Sequence, residues 1–414
     1  MGWEQLKILH TSDWHLGKTL EGFSRLDEQE RFLDELVTIA EQREIDLIIV
    51  AGDIYDSSNP PAAAEQLFYN TLKRLTNGSR AILVIAGNHD SPERLTAANS
   101  LAADHGIIIM GKPKSQALTG KFGKLEITET GAGYIKLSIN GEQAVILTMP
   151  YPSEKRLNEV LSLDDEEKAR QESYSERIGE LWAKLSCHFS ADTINLAVAH
   201  IYVVGGEESD SERQIQMGGS LAVDPAVLPD AQYIALGHLH RPQKVKGTDK
   251  KAFYSGSPLQ YSKSEINYSK CIFMIDVAAG EEACIEEIYL HNYKPVEVWK
   301  CSSIEDAFEK CSEERQGERW VYLDIQTDRV LTREEIRGLR EQCPDIVQIH
   351  PIFANDDQQV EHEVQDYKSI KIDELFRAFF KNRKGAEAPD EILQLFYKIA
   401  AEEGGIDETN STKD

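Results

Sequence analysis

Apolar runs and helical stripes alternate along the first ninety residues. Lys7-Ile8-Leu9-His10-Thr11-Ser12 reads as a short strand. Asp46-Leu47-Ile48-Ile49-Val50-Ala51 is a continuous apolar run, the signature of a strand buried on both faces of a parallel sheet. Ala81-Ile82-Leu83-Val84-Ile85-Ala86 is a third β-rich run. Between them the period changes. Over 27–44, Phe32, Leu36 and Ile39/Ala40 share one helical face, and over 60–76, Leu67, Phe68, Leu72 and Leu75 do the same. Ser91-Pro92-Glu93 reads as a further helix start, with Pro at the first helical position. The order β-α-β-α-β predicts a parallel sheet with helices on its faces.

The pattern then turns strand-rich. Residues 111–140 are rich in Gly, Lys and Thr and read as strands and turns. Apolar runs at 144–149, 195–199 and 232–236 read as strands, Ala252-Phe253-Tyr254 leads to Gly256-Ser257-Pro258, and 271–277 reads as the strand that closes the unit. A charged helical insertion is expected over 153–184, and the polar, Gly-rich stretch 205–219 is open between an active-site rim and a surface loop. Together these elements predict an α/β fold, a two-sheet sandwich spanning 1–290. A small α+β module follows at 291–354, with helices at 303–313 and 332–342 and strands at 320–326 and 346–351. A polar, acidic linker is expected at 355–368. A helical pair at 369–403 carries Ile372, Leu375, Phe376, Phe379 and Phe380, then Ile392, Leu395, Phe396 and Ile399, at helical spacing. The tail at 404–414 is expected to be disordered.

Composition changes this picture little. A chain of 414 residues has room for two or three domains, and 41% hydrophobic residues suffice for real cores. No apolar run approaches the roughly 20 residues of a membrane span. The N-terminus has no signal pattern, and the six Cys form no C-x-x-C pair, so a cytoplasmic location without membrane contact is expected. On its face the net charge of −26 argues against nucleic acid as a partner, because phosphate contacts need Lys and Arg. Bound divalent cations would reverse that field locally. If DNA is the substrate, the acidity suggests that another subunit supplies much of the affinity.

The chemistry sits at the strand ends. Asp13, His15, Asp53, Asn88, His89, His200, His238 and His240 each follow a predicted strand, where open α/β sheets bind ligands. A single strand-end His is ordinarily a hydrogen-bonded core residue, and His10, His105, His188, His291, His350 and His362 keep that reading. Carboxylate, imidazole and amide oxygen without thiolate suit Mn²⁺, Fe or Zn²⁺. Seven or eight such donors exceed one ion. They suit two ions roughly 3.5–4 Å apart sharing a carboxylate, an arrangement that clamps a phosphate and activates water for attack on phosphorus.

In this order, D-x-H (Asp13, His15), G-D-x-x-D (Asp53, Asp56), G-N-H-D (Asn88, His89), a lone His200 and G-H-x-H (His238, His240) resemble the calcineurin-like metallophosphoesterase superfamily. Four longer strings resemble its nuclease family of double-strand-break repair and recombination: residues 10–17, 87–95, 209–213 and 233–240. The resemblance implies one ion held by Asp13, His15, Asp53 and His240, and a second held by Asp53, Asn88, His200 and His238, with Asp53 bridging. It implies that His89 is not a ligand but stands beside the scissile phosphate and helps to protonate the leaving oxygen. It also implies two Mn²⁺ ions, exonuclease action on double-stranded DNA ends, endonuclease action on single strands and hairpins, and a homodimer. The 291–354 module resembles the family's capping domain, and the helical pair resembles the segment that grips a partner ATPase. Asp56 departs from the pattern, because some family members outside bacteria carry His there, so a loop-orienting or ligand-orienting role is expected of it. A phosphoprotein phosphatase or cyclic-nucleotide phosphodiesterase is the competing reading. Phosphatases tend to read G-N-H-E, and such chains usually lack both the module and the helical pair. A non-catalytic scaffold is disfavoured because no ligand is missing.

Overall fold

The computed structural model describes residues 5–161, 173–212, 221–314 and 317–353, together with 376, 392 and 393. The expected linker and tail lie outside the described residues, as do most of the expected helical pair and part of both the charged insertion and the 205–219 loop. The chain divides into two compact units. One comprises Met1–Ile325 and Leu331–His350, and the other comprises Gln326–Val330 and Pro351–Asp414. The first unit carries all the chemistry below.

Its first sheet has the strand order Cys284–Tyr289, Cys271–Val277, Leu6–Thr11, Leu47–Ala51, Ala81–Ile85 and Ile107–Met110. The last four run parallel. The helices Leu26–Gln42 and Ala62–Thr76 cover one face, where Phe32, Leu36, Phe68 and Leu72 pack on Leu9, Ile48, Val50, Ile82 and Val84. The alternate residues, Ile8, Leu47, Ile49, Leu83 and Ile85, face a second sheet and pack on its Ile146, Leu196, Val198 and Ala235. Burial on both faces is why these strands lack the polar–apolar alternation of a solvated sheet.

The second sheet has eight strands, and its middle is parallel: Glu142–Met149, Ile194–His200, Tyr233–Gly237 and Ala252–Tyr254. Strands Gly120–Phe122, Leu125–Gly131 and Tyr134–Ile139 extend it through antiparallel pairs. The helix Tyr174–Leu185 covers its outer face with Ile178, Leu181 and Trp182. A capping box between Ser173 and Glu176 starts that helix by satisfying two of its free N–H groups. The charged insertion is therefore two described helices, Glu154–Leu161 and Tyr174–Leu185.

Two expectations need correction. Cys271–Val277 does not close the unit within the strand-rich half. It returns to the first sheet, antiparallel to Leu6–Thr11, and Cys284–Tyr289 pairs beyond it as the edge. That edge strand, CIEEIY, is half-buried at best, so it lacks the apolar pattern that would announce it. The following module also gains a strand. Val296–Cys301, Trp320–Thr327 and Ile346–Phe353 form a three-stranded sheet with helices Ile304–Glu313 and Arg333–Gln342 on one face. The other face turns to the sandwich, where Val296, Trp320, Tyr322 and Val347 pack on Leu20, Phe23 and Ile266. Trp320 Nε1 donates to Glu28 Oε1 at 3.0 Å, and Glu28 is ion-paired with buried Arg25 at 2.7 Å. No described helix is long and apolar enough to cross a membrane.

Candidate metal centre

The parallel strands of both sheets end at one edge, and the loops that leave them are built around unusual backbone. Asp13 (φ 53°), His15 (φ 46°), Asp53 (φ 50°) and His238 (φ 109°) all occupy the left-handed half of the map. Each such conformation costs a non-glycine residue about 1–3 kcal/mol and persists only where its surroundings enforce it. Loop-to-loop hydrogen bonds do so here. Asp13 N donates to Gly52 O at 3.0 Å, His15 N to Asp53 O at 3.0 Å and Leu16 N to Ile54 O at 2.9 Å. Asp90 ties in the third loop by accepting from Gly87 N (2.8 Å), Ile54 N (3.2 Å) and Tyr55 N (3.0 Å). Gly87 is required by space, because a Cβ there would lie 2.1 Å from Asp53 Oδ1.

Three groups of side chains converge within 4.8 Å: Asp13, His15 and His240; His15, Asp53 and His89; Asp53, His200 and His238. Asp53 Oδ2 lies 3.7 Å from His15 Nε2 and 3.4 Å from His200 Nε2. Asn88 Oδ1 stands 2.9 Å from His200 Nε2 and 3.1 Å from His238 Nδ1. His15 Nε2 faces His240 Nε2 at 3.0 Å. All seven residues expected as ligands are therefore brought together. Apart from Asn88 they are almost wholly buried.

The donor set fits a divalent cation. His200 Nδ1 lies 2.9 Å from the Ala51 carbonyl, which can only accept, so Nδ1 carries the hydrogen. In the neutral ring Nε2 then offers a lone pair, aimed at the oxygens of Asn88 and Asp53. Lone pairs directed at one another need a proton or a metal ion between them. Although burial opposes it, the Asp53 carboxylate pushes His200 up to about 9, so the ring holds a proton where a divalent ion would otherwise stand. The protein's own charges carry the same conflict. Burial pushes His238 down to about 3, with His200 adding to the effect, and holds His15 well below the usual imidazole range. Burial pushes Asp13 up to about 7. It would raise Asp53 too, but the imidazoles of His200, His15 and His89 hold that carboxyl well below its ordinary range. A divalent ion favours ionised carboxylates and neutral imidazoles together, and so removes the conflict.

His89 differs from the others. It is half-buried, and its Nδ1 donates to the main-chain carbonyl of Asp56 at 2.7 Å, leaving Nε2 uncommitted. Its main-chain N–H donates to Asp53 Oδ1 at 2.9 Å. Asp56 thus orients His89 through its backbone. Its carboxylate meets Lys18 Nζ at 2.9 Å and stands 3.6 Å from His15 Nδ1.

Among the remaining described histidines only His10 is a core residue. Its Nδ1 meets Tyr233 Oη at 2.9 Å, and burial pushes it down to about 3. His105, His188, His291 and His350 are half-buried or exposed, contrary to the expectation of core residues, and His362 lies outside the described residues. No motif points to the buried pair behind His240, Glu265 and Lys270, which are 0% and 6% exposed. Lys270 Nζ donates to Glu265, to Ser257 Oγ at 2.7 Å and to the His240 carbonyl at 2.9 Å. Removing one partner leaves a buried charge unpaired. Lys270→Met is therefore expected to lower the unfolding free energy by about 3 kcal/mol in urea titration of the full chain. A loss of under about 1 kcal/mol would mean that Glu265 finds another partner.

These features define the class, a calcineurin-like phosphoesterase, and residues 6–242 match the family model of that description. The SbcD component of the nuclease SbcCD from Bacillus subtilis (strain 168) is 41% identical over 410 residues, covering 98% of this chain and 100% of the relative. The protein of the same name from Rhodobacter capsulatus is 34% identical over 288 residues, 66% of this chain and 67% of the relative. A solved dimetal phosphatase from Danio rerio aligns at 12% identity over 68% of this chain and 98% of that one, with a TM-score of 0.37, too loose to bear on the site. The chain belongs to the SbcD family of nuclease components.

Proposed function

We propose that this chain is a Mn²⁺-dependent DNA nuclease, an exonuclease on double-stranded ends and an endonuclease on single strands and hairpins. In this reading it works as a homodimer with an SbcC-type ATPase in repair and recombination, in the cytoplasm. The observation that carries the reading is the chain of three converging groups, joined to one another through His15 and Asp53, with His89 half-exposed in the middle one. Asp13, His15, Asp53 and His240 would hold one ion, and Asp53, Asn88, His200 and His238 the other. Divalent ions held there would polarise a phosphodiester and acidify water. Asp53 would set the spacing of the two sites through Oδ2, which lies between His15 and His200. His89, steered by the Asp56 carbonyl, would present Nε2 to the leaving oxygen and deliver a proton to it.

The deciding experiment is degradation of an end-labelled linear duplex with Mn²⁺ present, with and without the ATPase, beside a small phosphodiester substrate. Cleavage of the small ester with intact DNA in both arms would leave a phosphoesterase of another substrate class. The 291–354 module is assigned as a capping domain that steers DNA, supported by its apolar seating on the sandwich through Trp320 and Tyr322. The segment 369–403 is assigned as the ATPase grip, supported by its two apolar stripes. Phe376→Asp combined with Phe396→Asp is expected to abolish co-purification with the ATPase while leaving duplex degradation by the isolated chain intact. Unchanged co-purification would move the grip elsewhere.

A further inference from the structure

His240 is held both at its main chain and at its ring, in part by the 209–213 string and in part by the buried pair Glu265 and Lys270. Its main-chain N–H donates to Glu212 Oε1 at 2.7 Å, and its carbonyl accepts from Lys270. Glu212 is itself fixed by Ser209, whose N–H and Oγ meet Oε2 at 2.7 and 2.6 Å. The ring is held separately. Ser211 Oγ lies 2.6 Å from His240 Nδ1 and also hydrogen-bonds Glu265 Oε1, which stands 3.4 Å from the same Nδ1.

Proton counting fixes the direction of these bonds. Glu265 is fully buried against Lys270, and an ionised carboxylate only accepts. Ser211 has one hydroxyl hydrogen, and of its three partners, Glu265 Oε1, His240 Nδ1 and Ser209 Oγ at 2.9 Å, the buried carboxylate that can only accept takes it. The Ser211 oxygen can then only accept from the ring, so His240 Nδ1 carries a hydrogen and Nε2 carries the lone pair. Nε2 is the atom that faces His15 Nε2 at 3.0 Å. We infer that Ser211 and Glu265 form a positioning pair that fixes His240 as an Nε2 ligand. The described end of the 205–219 loop thereby becomes part of the metal centre. Neither residue touches the reacting atoms. Outer-shell partners of this kind orient a ligating imidazole and raise its basicity, and their loss typically costs roughly 10–100-fold in metal affinity.

The inference rests on the ligand set proposed above, and the same titration separates the two. The full-length chain is titrated calorimetrically with Mn²⁺, as wild type, Ser211→Ala and Ser211→Thr, with melting temperatures measured alongside. Wild type is expected to bind two ions. Ser211→Ala is expected to weaken one of them about 10–100-fold, to leave the other unchanged and to keep its melting temperature; Ser211→Thr, which restores a hydroxyl, is expected to recover the lost affinity. Unaltered binding in Ser211→Ala overturns the positioning role. So does equal loss of both ions together with a fall in melting temperature, which would make the loop a structural support only. Failure of wild type itself to bind a divalent ion would instead overturn the ligand set, and the inference with it.

Discussion

Asp53→Asn is expected to yield a folded chain that holds divalent ions poorly and cleaves duplex DNA about a thousandfold more slowly. The side chain sits in two of the three convergent groups, and its Oδ2 is within 3.7 Å of imidazole nitrogens belonging to both proposed sites. The amide keeps the size of the carboxylate, and an oxygen at Oδ1 would still accept from His89 N, so the left-handed turn at residue 53 survives. The negative charge is lost. The new NH₂ would also turn its hydrogens toward His15 Nε2 or His200 Nε2 and occupy the lone pairs that a cation needs. Stabilisation of phosphoryl charge by a bound ion is worth several kcal/mol, and about 4 kcal/mol corresponds to a factor near a thousand. Calorimetric titration with Mn²⁺ and an end-labelled duplex assay measure the two halves of this expectation. A variant that binds two ions with wild-type affinity would remove Asp53 from the bridging position.

The part of the centre that is legible in the sequence is the part set by strand ends. A buried parallel strand must deliver its next residues to the carboxyl edge, so apolar runs ending at Thr11, Ala51, Ile85, His200 and Gly237 bring the following side chains to one place. The positive φ of Asp13, His15 and Asp53 is not legible, because nothing in those residue types demands it; it is imposed by hydrogen bonds between loops, from Asp13 N to Gly52 O, from His15 N to Asp53 O and from the loop N–H groups to Asp90. Glu265 and Lys270 escape a sequence reading for a related reason, and Ser211 stands in the 209–213 string without any sign there of its role. Each is an ordinary polar residue locally; the Glu265–Lys270 pair spans only 5 residues, but it and Ser211 join the centre through contacts 25–54 residues away along the chain. In the fold the same limit appears at the edges. Val296–Cys301 and Cys284–Tyr289 carry charged residues among apolar ones, and they become strands through pairing rather than through their own pattern.

His89 is where geometry leaves two roles open to experiment, and one variant separates them. One of its atoms lies within 4.8 Å of donor atoms of His15 and Asp53, so distance alone would admit it as a ligand. Its hydrogen bonding argues for the other role. Nδ1–H is committed to the Asp56 carbonyl, the ring is half-exposed, and the link to Asp53 is made by the main chain rather than the imidazole. In His89→Gln that main-chain link remains, so Asp53 should stay in place and both ions should bind. What the variant loses is the group that meets the leaving oxygen. Cleavage is expected to fall by roughly a hundredfold to ten-thousandfold, the usual worth of a positioned general acid. Metal titration and single-turnover cleavage of the same preparation give the answer. Full metal content with slow cleavage supports the acid role, and the defect should shrink on a substrate whose leaving group is a nitrophenolate, which departs without needing a proton. Loss of one ion would instead make His89 a ligand and would require one of the seven assigned donors to give up its place.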